Sequence, residues 1–333
     1  FDLNSKETSK LIQILSEKCE LDSNGCLDYV STTLLMSLLH LMDVSLIQTC
    51  EENDPLVKSL PICKHKTLFE EIRTAISSLK FNISSVQNIL TMAWIISAKT
   101  LSLFPIEGVN LIEGEEDKLL DEVIEKKVFE SMTLRLAQNP HVYKEEFYFR
   151  KLHEFLSEFI ALFPLKIKEL RDKDDESGRI IAAYMAENIQ PPSSLSRHFE
   201  KFLYLIAEVY SHDTYGLSAD IWNASKEEEN RVLPKAVAFH KFIRSTIDSF
   251  LPQLLHVPVL KLLASFANLS PLNVYNLLKC SEINQNSQFS FDHFFNVLHN
   301  YYSSLRGSSK VVSASITFEQ SQPVANFATI YLS

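Results

Sequence analysis

The sequence contains few of the residues that break helices or close disulfide frameworks. Its 333 residues include only 6 glycines and 12 prolines, a balance that favours long helices joined by short loops and makes an all-β fold improbable. The cysteines are odd in number and scattered among apolar residues, which favours a reducing compartment over a disulfide framework. They are Cys19, Cys26, Cys50, Cys63 and Cys280.

Sequence signatures of catalysis and of metal or nucleotide binding are also missing. No glycines have the spacing of a phosphate-binding loop. The pair His153-Glu154 begins like a zinc-binding helix, but Ser157 stands where the second histidine is needed, so we interpret His153 as a surface histidine. Cys63 and His65 lack a second close pair of ligands. We therefore predict no enzyme, no metal site and no cofactor.

The charge and the apolar runs limit the partners. The formal net charge of −10 repels phosphate backbones and predicts no direct binding of nucleic acid. The longest apolar candidate, residues 89–103, is interrupted by Lys99 and stops at Pro105, so we predict no transmembrane span. The chain starts at Phe1 and stops within an apolar run, and we expect both ends to be cut from a longer protein.

Apolar residues recur with the period of a helix along most of the chain. We count about thirteen helices and no period-two alternation long enough for a sheet. This predicts an all-α fold, an irregular HEAT-like or armadillo-like solenoid that is incomplete at both ends and continuous over residues 1–333. The main predicted helices cover residues 5–19, 27–42, 67–79, 84–104, 145–163, 195–210, 232–251, 254–268, 271–280 and 291–305.

Several local expectations accompany this fold. Residues 113–125 carry seven acidic residues, which predicts a solvated loop and helix face. Residues 169–179 are too polar to bury, and we interpret them as a loop or an exposed helix end. Ser193 or Ser194 is the expected cap of the next helix. The aromatic residues Phe294 and Phe295 are expected to belong to the buried side of the last complete helix.

From Glu145 onward the residues resemble one family in matching order: the large inner-ring scaffold nucleoporins of the nuclear pore complex, the two-hundred-and-five-kilodalton class. The resemblance covers residues 117–333 well and residues 1–116 only by helical character. The matching residues are Glu145, Glu146, Phe147, Tyr148, Arg150, His153, Ala161, Leu162, Pro164, Lys166, Lys168, Leu170, Arg171, Pro191, Pro192, Ser194, Leu195, Arg197, Trp222, Lys241, Phe242, Arg244, Leu251, Pro252, Pro258, Leu260, Lys261, Ala267, Asn268, His293, Phe294, Phe295, Tyr301, Leu305 and Arg306.

The resemblance implies a fragment of the N-terminal half of such a scaffold, located at the nuclear envelope in the nuclear pore complex. By resemblance, this half docks a short linear motif of the fifty-three-kilodalton-type, membrane-associated nucleoporin. The ninety-three-kilodalton linker nucleoporin would bind the C-terminal part, which this chain does not contain. The implied role is to support nucleocytoplasmic transport of protein and mRNA. No Phe-Gly dipeptide occurs, which indicates scaffold rather than permeability barrier.

Trp222 is the residue we single out for docking, because it lies between a short segment and a charged run, where an indole could anchor a peptide. Ile167 and Leu170 are weaker candidates beside the polar stretch. The alternative for Trp222 is that it simply closes the core between helices. The alternative function is a karyopherin-like transport receptor or adaptor, which would bind the GTPase Ran and Phe-Gly repeats.

Overall fold

The computed structural model describes residues 4–50, 54–109, 111–112, 114–223, 235–248, 251–280, 289 and 291–311. These residues form helices and turns, and their only β-type pairing is an isolated bridge between Leu21 and Leu27. The helices are α1 Ser5–Lys18, α2 Tyr29–Met42, α3 Pro55–Ser59, α4 Pro61–Lys64, α5 Leu68–Ser78, α6 Ser84–Leu103, α7 Glu115–Glu125, α8 Val128–Met132, α9 Pro140–Tyr143, α10 Glu146–Leu162, α11 Pro164–Ala186, α12 His198–Ser211, α13 Ser218–Asn223, α14 Lys235–Asp248, α15 Gln253–Ala267, α16 Pro271–Cys280 and α17 Phe291–Val311. A 3₁₀ turn covers Ser45–Gln48 and a π-helical turn covers Thr133–Ala137.

The first two helices begin at side chains that satisfy their free backbone N–H groups. Asn4 accepts a hydrogen bond from the backbone of Glu7, and the Glu7 carboxylate accepts one from the backbone of Asn4. Asp28 accepts from the backbone of Ser31. Such caps typically contribute about 1 kcal/mol each and fix where a helix starts.

Helix α6 is the centre of the N-terminal part. It is buried along most of its length and packs against α2, α5, α7, α8 and α10. Its Trp94 stacks on Phe69 with ring centroids 4.9 Å apart, and the indole N–H donates to the Phe69 carbonyl at 3.2 Å. A helix that is apolar on all sides must be enclosed by others, which is why α6 sits inside the stack.

The C-terminal part is built on α10, α12, α14 and α15. Helix α12 packs against α8, α11 and α15, and α10 packs against α14. The rings of Phe129, Phe159 and Phe202 contact one another with centroids 5.0 to 5.9 Å apart. The buried residues from Ile12 to Phe289 form one contiguous core. Most helices contact elements that are near them in sequence, and the structure confirms the predicted all-α, solenoid-like fold.

The polar stretch 169–179 is not a loop or an exposed end, because α11 runs through it. Asp174 is fully buried, and its two carboxylate oxygens accept from the Glu200 backbone N–H at 2.9 Å and from the Ser196 hydroxyl at 3.1 Å. A side chain of α11 therefore caps α12, which begins at His198. The expectation that Ser193 or Ser194 caps this helix is wrong.

The acidic segment 113–125 is an amphipathic helix for most of its length. Its apolar side, including Leu120, Val123 and Ile124, is buried. The Lys99 ammonium of α6 lies 3.5 Å from the carboxylate of the buried Glu116 and 3.7 Å from that of Asp117. The lysine that interrupts the apolar run of α6 is thus held against the acidic start of α7.

One segment of the described residues, Tyr29–Gln48, is long and apolar enough to cross a membrane by length and composition alone. It has 20 residues and a mean hydropathy of 1.6, and 56% of it is buried against other parts of the chain. Core helices of globular proteins pass the same test, and the burial of α2 is that of a core helix.

Helix α17 places its aromatic residues differently from expectation. Phe294 packs partly against the core, but Phe295 is 66% exposed. The expectation that Phe295 is buried is therefore wrong. Among the α17 side chains that the structure describes, the large apolar ones that are exposed are Phe295, Leu298, Tyr301, Tyr302 and Leu305.

Candidate functional site

The three residues proposed from the sequence as peptide anchors all lie in the core. Trp222 on α13 is 7% exposed, and its ring lies 5.7 Å from that of His240 and 5.8 Å from that of Phe266. Ile167 and Leu170 are buried on α11, where they are one turn apart. The burial of Trp222 favours the core alternative. A docking role for the three residues stays a prediction.

The surface that a peptide could enter lies along α12. Four side chains spaced three and four residues apart put one face of α12 at the floor of a groove of 610 Å³. The end of α8 with the π-helical turn forms one wall, and α15 with Asn268 forms the other. The floor residues are Lys201, Tyr204, Glu208 and Ser211, with Ala207; the walls contribute Glu130, Thr133, Leu134 and Gln138 on one side and Lys261, Ala264, Ser265 and Asn268 on the other.

Two lysine ammonium groups lie near one aromatic ring, Tyr204, on the floor of this α12 groove. The Lys201 ammonium lies 5.9 Å and the Lys261 ammonium 5.0 Å from the centroid of Tyr204. Neither lysine forms an ion pair with a carboxylate in the part of the chain that the structure describes. Burial, followed by the nearby Glu200 carboxylate, raises the pKa of Tyr204, so its phenol stays neutral and able to donate.

The opposite wall carries an unsatisfied carboxylate. The Oε2 atom of Glu130 is buried and has no hydrogen-bond partner among the described residues. The π-helical turn begins three residues later at Thr133, and its Leu134 is 38% exposed at the rim. π-helical turns of this kind are frequent at functional sites.

Sequence reasoning did not find the α12 groove. Its floor could have been found as the polar face opposite the predicted apolar stripe of this helix, since Lys201, Tyr204 and Glu208 recur at helical spacing. Its walls come from residues far away in the sequence. No local pattern indicates that Glu130 and Lys261 flank the same helix face.

A separate cluster of charges joins α2, α10 and α14. The Lys151 ammonium lies 2.7 Å from both Asp43 and Glu154, and that of Lys235 lies 2.6 Å from Glu158. Burial alone would raise the pKa of Asp43, but Lys151 and the hydrogen bonds from Ser45 together outweigh it and the pKa is lowered. For Glu158 burial dominates Lys235 and raises the pKa to about 7. These contacts connect helices, and the adjoining cavity of 30 Å³ holds no more than about one water molecule.

His153 is not the surface histidine expected from the sequence. Its Nδ1 atom lies 2.7 Å from the hydroxyl of the fully buried Tyr210, and burial lowers the pKa of the imidazole. The imidazole therefore serves as an internal hydrogen-bonding group. Within the described ranges, no three His, Cys, Asp or Glu side chains converge where a metal ion could bind.

A stack of helices packed on one contiguous core has the architecture of the helical-repeat class of proteins. The chain is a member of the family of nuclear pore complex scaffold nucleoporins 186/192/205, whose family model matches residues 2–331. This match includes the first 116 residues, which the sequence resemblance covered only by helical character. Proteins of this family are structural components of the nuclear pore rather than enzymes, as predicted, and they are located at the nuclear envelope.

Two curated relatives agree with the family assignment. The human nuclear pore complex protein Nup205 is 28% identical over 91% of this chain. The Nup205 protein of Drosophila melanogaster is 26% identical over 89% of the chain. The alignments cover 16% and 15% of those relatives, so the chain spans about a sixth of their length.

Proposed function

We propose that the chain forms part of the inner-ring scaffold of the nuclear pore complex, where it docks short linear motifs of partner nucleoporins. The family match over residues 2–331 carries this proposal. A contiguous core from Ile12 to Phe289 supports it, because a firm helical stack offers preformed grooves to flexible peptides. Through these contacts the scaffold would support nucleocytoplasmic transport of protein and mRNA.

The proposed partner of this part is the fifty-three-kilodalton-type, membrane-associated nucleoporin. The ninety-three-kilodalton linker nucleoporin is proposed to bind sequence beyond this chain. Trp222, with Ile167 and Leu170, is the proposed anchor for the first partner. All three side chains are buried. Docking at these residues therefore requires the peptide motif to insert against the indole of Trp222 at the end of α13.

The test is calorimetric titration of the chain with overlapping peptides from the disordered segments of the fifty-three-kilodalton-type nucleoporin. If Trp222 is an anchor, Trp222→Ala should weaken the best peptide by at least about 2 kcal/mol. If the indole only closes the core, Trp222→Ala should lower the melting temperature by several degrees while the folded fraction still binds. Absence of binding by every peptide would contradict the docking function.

The karyopherin-like alternative finds no support in the comparisons, since the family match to pore scaffolds covers nearly the whole chain. A pull-down with GTP-loaded Ran separates the two functions. A scaffold segment should not retain Ran, and retention at receptor-like affinity would favour the alternative.

A further inference from the structure

We propose that the α12 groove binds an acidic peptide segment, with acidic side chains of the peptide at Lys201 and Lys261. This inference rests on the proposed docking function. It names a second surface, separate from Trp222, and the chemistry of the peptide that the surface selects.

Lys201 differs from the other partly buried lysines of the described residues, and Lys261 is exposed at the wall of the groove. Lys151, Lys166 and Lys235 each contact a carboxylate. Lys201 forms no ion pair with a carboxylate of the described residues, and its ammonium and that of Lys261 both lie near the ring of Tyr204. A cation–π contact at a partly exposed site contributes about 0.5–1 kcal/mol. Incoming carboxylates can therefore bind these ammonium groups without breaking an existing ion pair.

The other charges of the groove decide what kind of anion fits. Glu130 and Glu208 also line it, so a free phosphate or a nucleic acid backbone would meet two carboxylates as well as two ammonium groups. Oε2 of Glu130 is buried beneath the groove surface, whereas the Glu208 side chain is 33% exposed and can accept a hydrogen bond from a peptide. A peptide supplies a carboxylate and an N–H or hydroxyl donor in one molecule. The mixed charge of the groove thus favours a peptide over a simple anion.

The size and shape of the α12 groove fit a short peptide segment. A volume of 610 Å³ lies within the range of about 300–1,000 Å³ that binding pockets occupy. The floor and one wall of the groove carry small side chains, Ala207, Ala264 and Ser265. Small side chains leave room for a peptide backbone to approach α12. Leu134 at the rim offers an apolar contact to a neighbouring side chain of the peptide.

The experiment uses the whole chain on an array of overlapping peptides that tile the disordered segments of partner nucleoporins. The double variant Lys201→Ala/Lys261→Ala is compared with Lys10→Ala/Lys18→Ala, which removes the same charge from exposed positions on α1. We expect a subset of peptides to lose at least about tenfold in affinity with the groove variant only. In that subset, replacing the acidic residue by its amide should cause the same loss, and binding should weaken as salt rises.

The outcomes separate this inference from the function on which it rests. If peptides bind and no binding depends on Lys201 and Lys261, or if the dependent peptides carry no acidic residue, the groove inference is wrong while the docking function stands. If no peptide binds the wild-type chain, both fail. Equal losses with the groove variant and the α1 control would show nonspecific attraction to positive charge and would also overturn the inference. Thermal melts of both variants check that they fold.

Discussion

Phe159 and Phe295 both lie on amphipathic helices, but they differ in what surrounds the ring. Phe159 is 1% exposed and contacts the rings of Phe129, Phe163 and Phe202. Phe295 is largely exposed. Phe159→Ala should therefore cost about 3–5 kcal/mol of unfolding free energy, whereas Phe295→Ala should change it by no more than about 0.5 kcal/mol.

Urea unfolding followed by far-ultraviolet circular dichroism measures both values. Each variant serves as the control for the other, because the substitution is the same and only the surroundings differ. A cost of several kcal/mol for Phe295→Ala would show that another part of the chain covers α17 in solution.

Glu158 predicts how stability depends on pH. Its pKa is about 7 in the folded protein and about 4.5 in the unfolded chain. The folded state therefore holds the proton more tightly, and the stability that this contributes is present below pH 4.5 and lost as the pH rises through 7. Relative to Glu158→Gln, the wild type should lose on the order of 2–3 kcal/mol between pH 5 and pH 8. The test measures the unfolding free energies of the wild type and of Glu158→Gln at several pH values. If the gap between the two proteins is the same at every pH, the prediction is wrong.

Single residues also show what the sequence could not predict. Asp174 was expected in an exposed polar stretch, because charge alone indicates solvent. It can be buried only because the Glu200 backbone and Ser196 supply its hydrogen bonds. His153 is similar, since its partner Tyr210 lies on another helix. Pairings of this kind depend on the packed structure and leave no local pattern.

At the level of elements, the contact between α11 and the start of α15 depends on Gly178. A Cβ atom at this position would lie 2.9 Å from Cβ of Pro252, a rigid neighbour. In an open helix, Gly→Ala would stabilise by about 1 kcal/mol. Here Gly178→Ala should destabilise instead, because the helix or the loop at Pro252 must move.

The matched control for this prediction is Ala183→Gly, at an exposed position of the same helix. It should cost about 1 kcal/mol through helix propensity alone. Denaturant midpoints of the two variants and the wild type test the contact. A Gly178→Ala protein more stable than the wild type would show that α11 and Pro252 are not so close.

The positions of the helices followed from the sequence more reliably than their packing. Apolar recurrence located α1, α2, α6, α10 and α15 to within a few residues, since each carries a continuous buried stripe. It failed at α11, where the polar side chains interrupt the stripe. It located α17, but the burial expected for the apolar face of that helix was wrong. Periodicity reports that a face is apolar. It does not report what covers that face, and for the same reason it could not predict the α12 groove.

For the whole molecule, the contiguous core predicts that the chain unfolds as one unit. Repeat-like helical stacks can lose this cooperativity when contacts between neighbouring layers are weak. In this chain α6 and α10 contact each other, and both contact α2, so the N-terminal and C-terminal parts share packing. We therefore expect residues 1–333 to behave as one continuous segment.

The two tryptophans of the chain allow a direct test of this expectation, because Trp94 is buried on α6 and Trp222 on α13. Trp222→Phe leaves a fluorescence probe of the N-terminal part, and Trp94→Phe leaves one of the C-terminal part. In each variant the urea midpoint by fluorescence should coincide with that by circular dichroism, which averages over all helices. The comparison is made within each variant, so a stability change caused by the substitution cancels. If the Trp94 probe and the Trp222 probe each depart from the circular dichroism midpoint in opposite directions, the chain consists of two units and the single continuous segment is wrong.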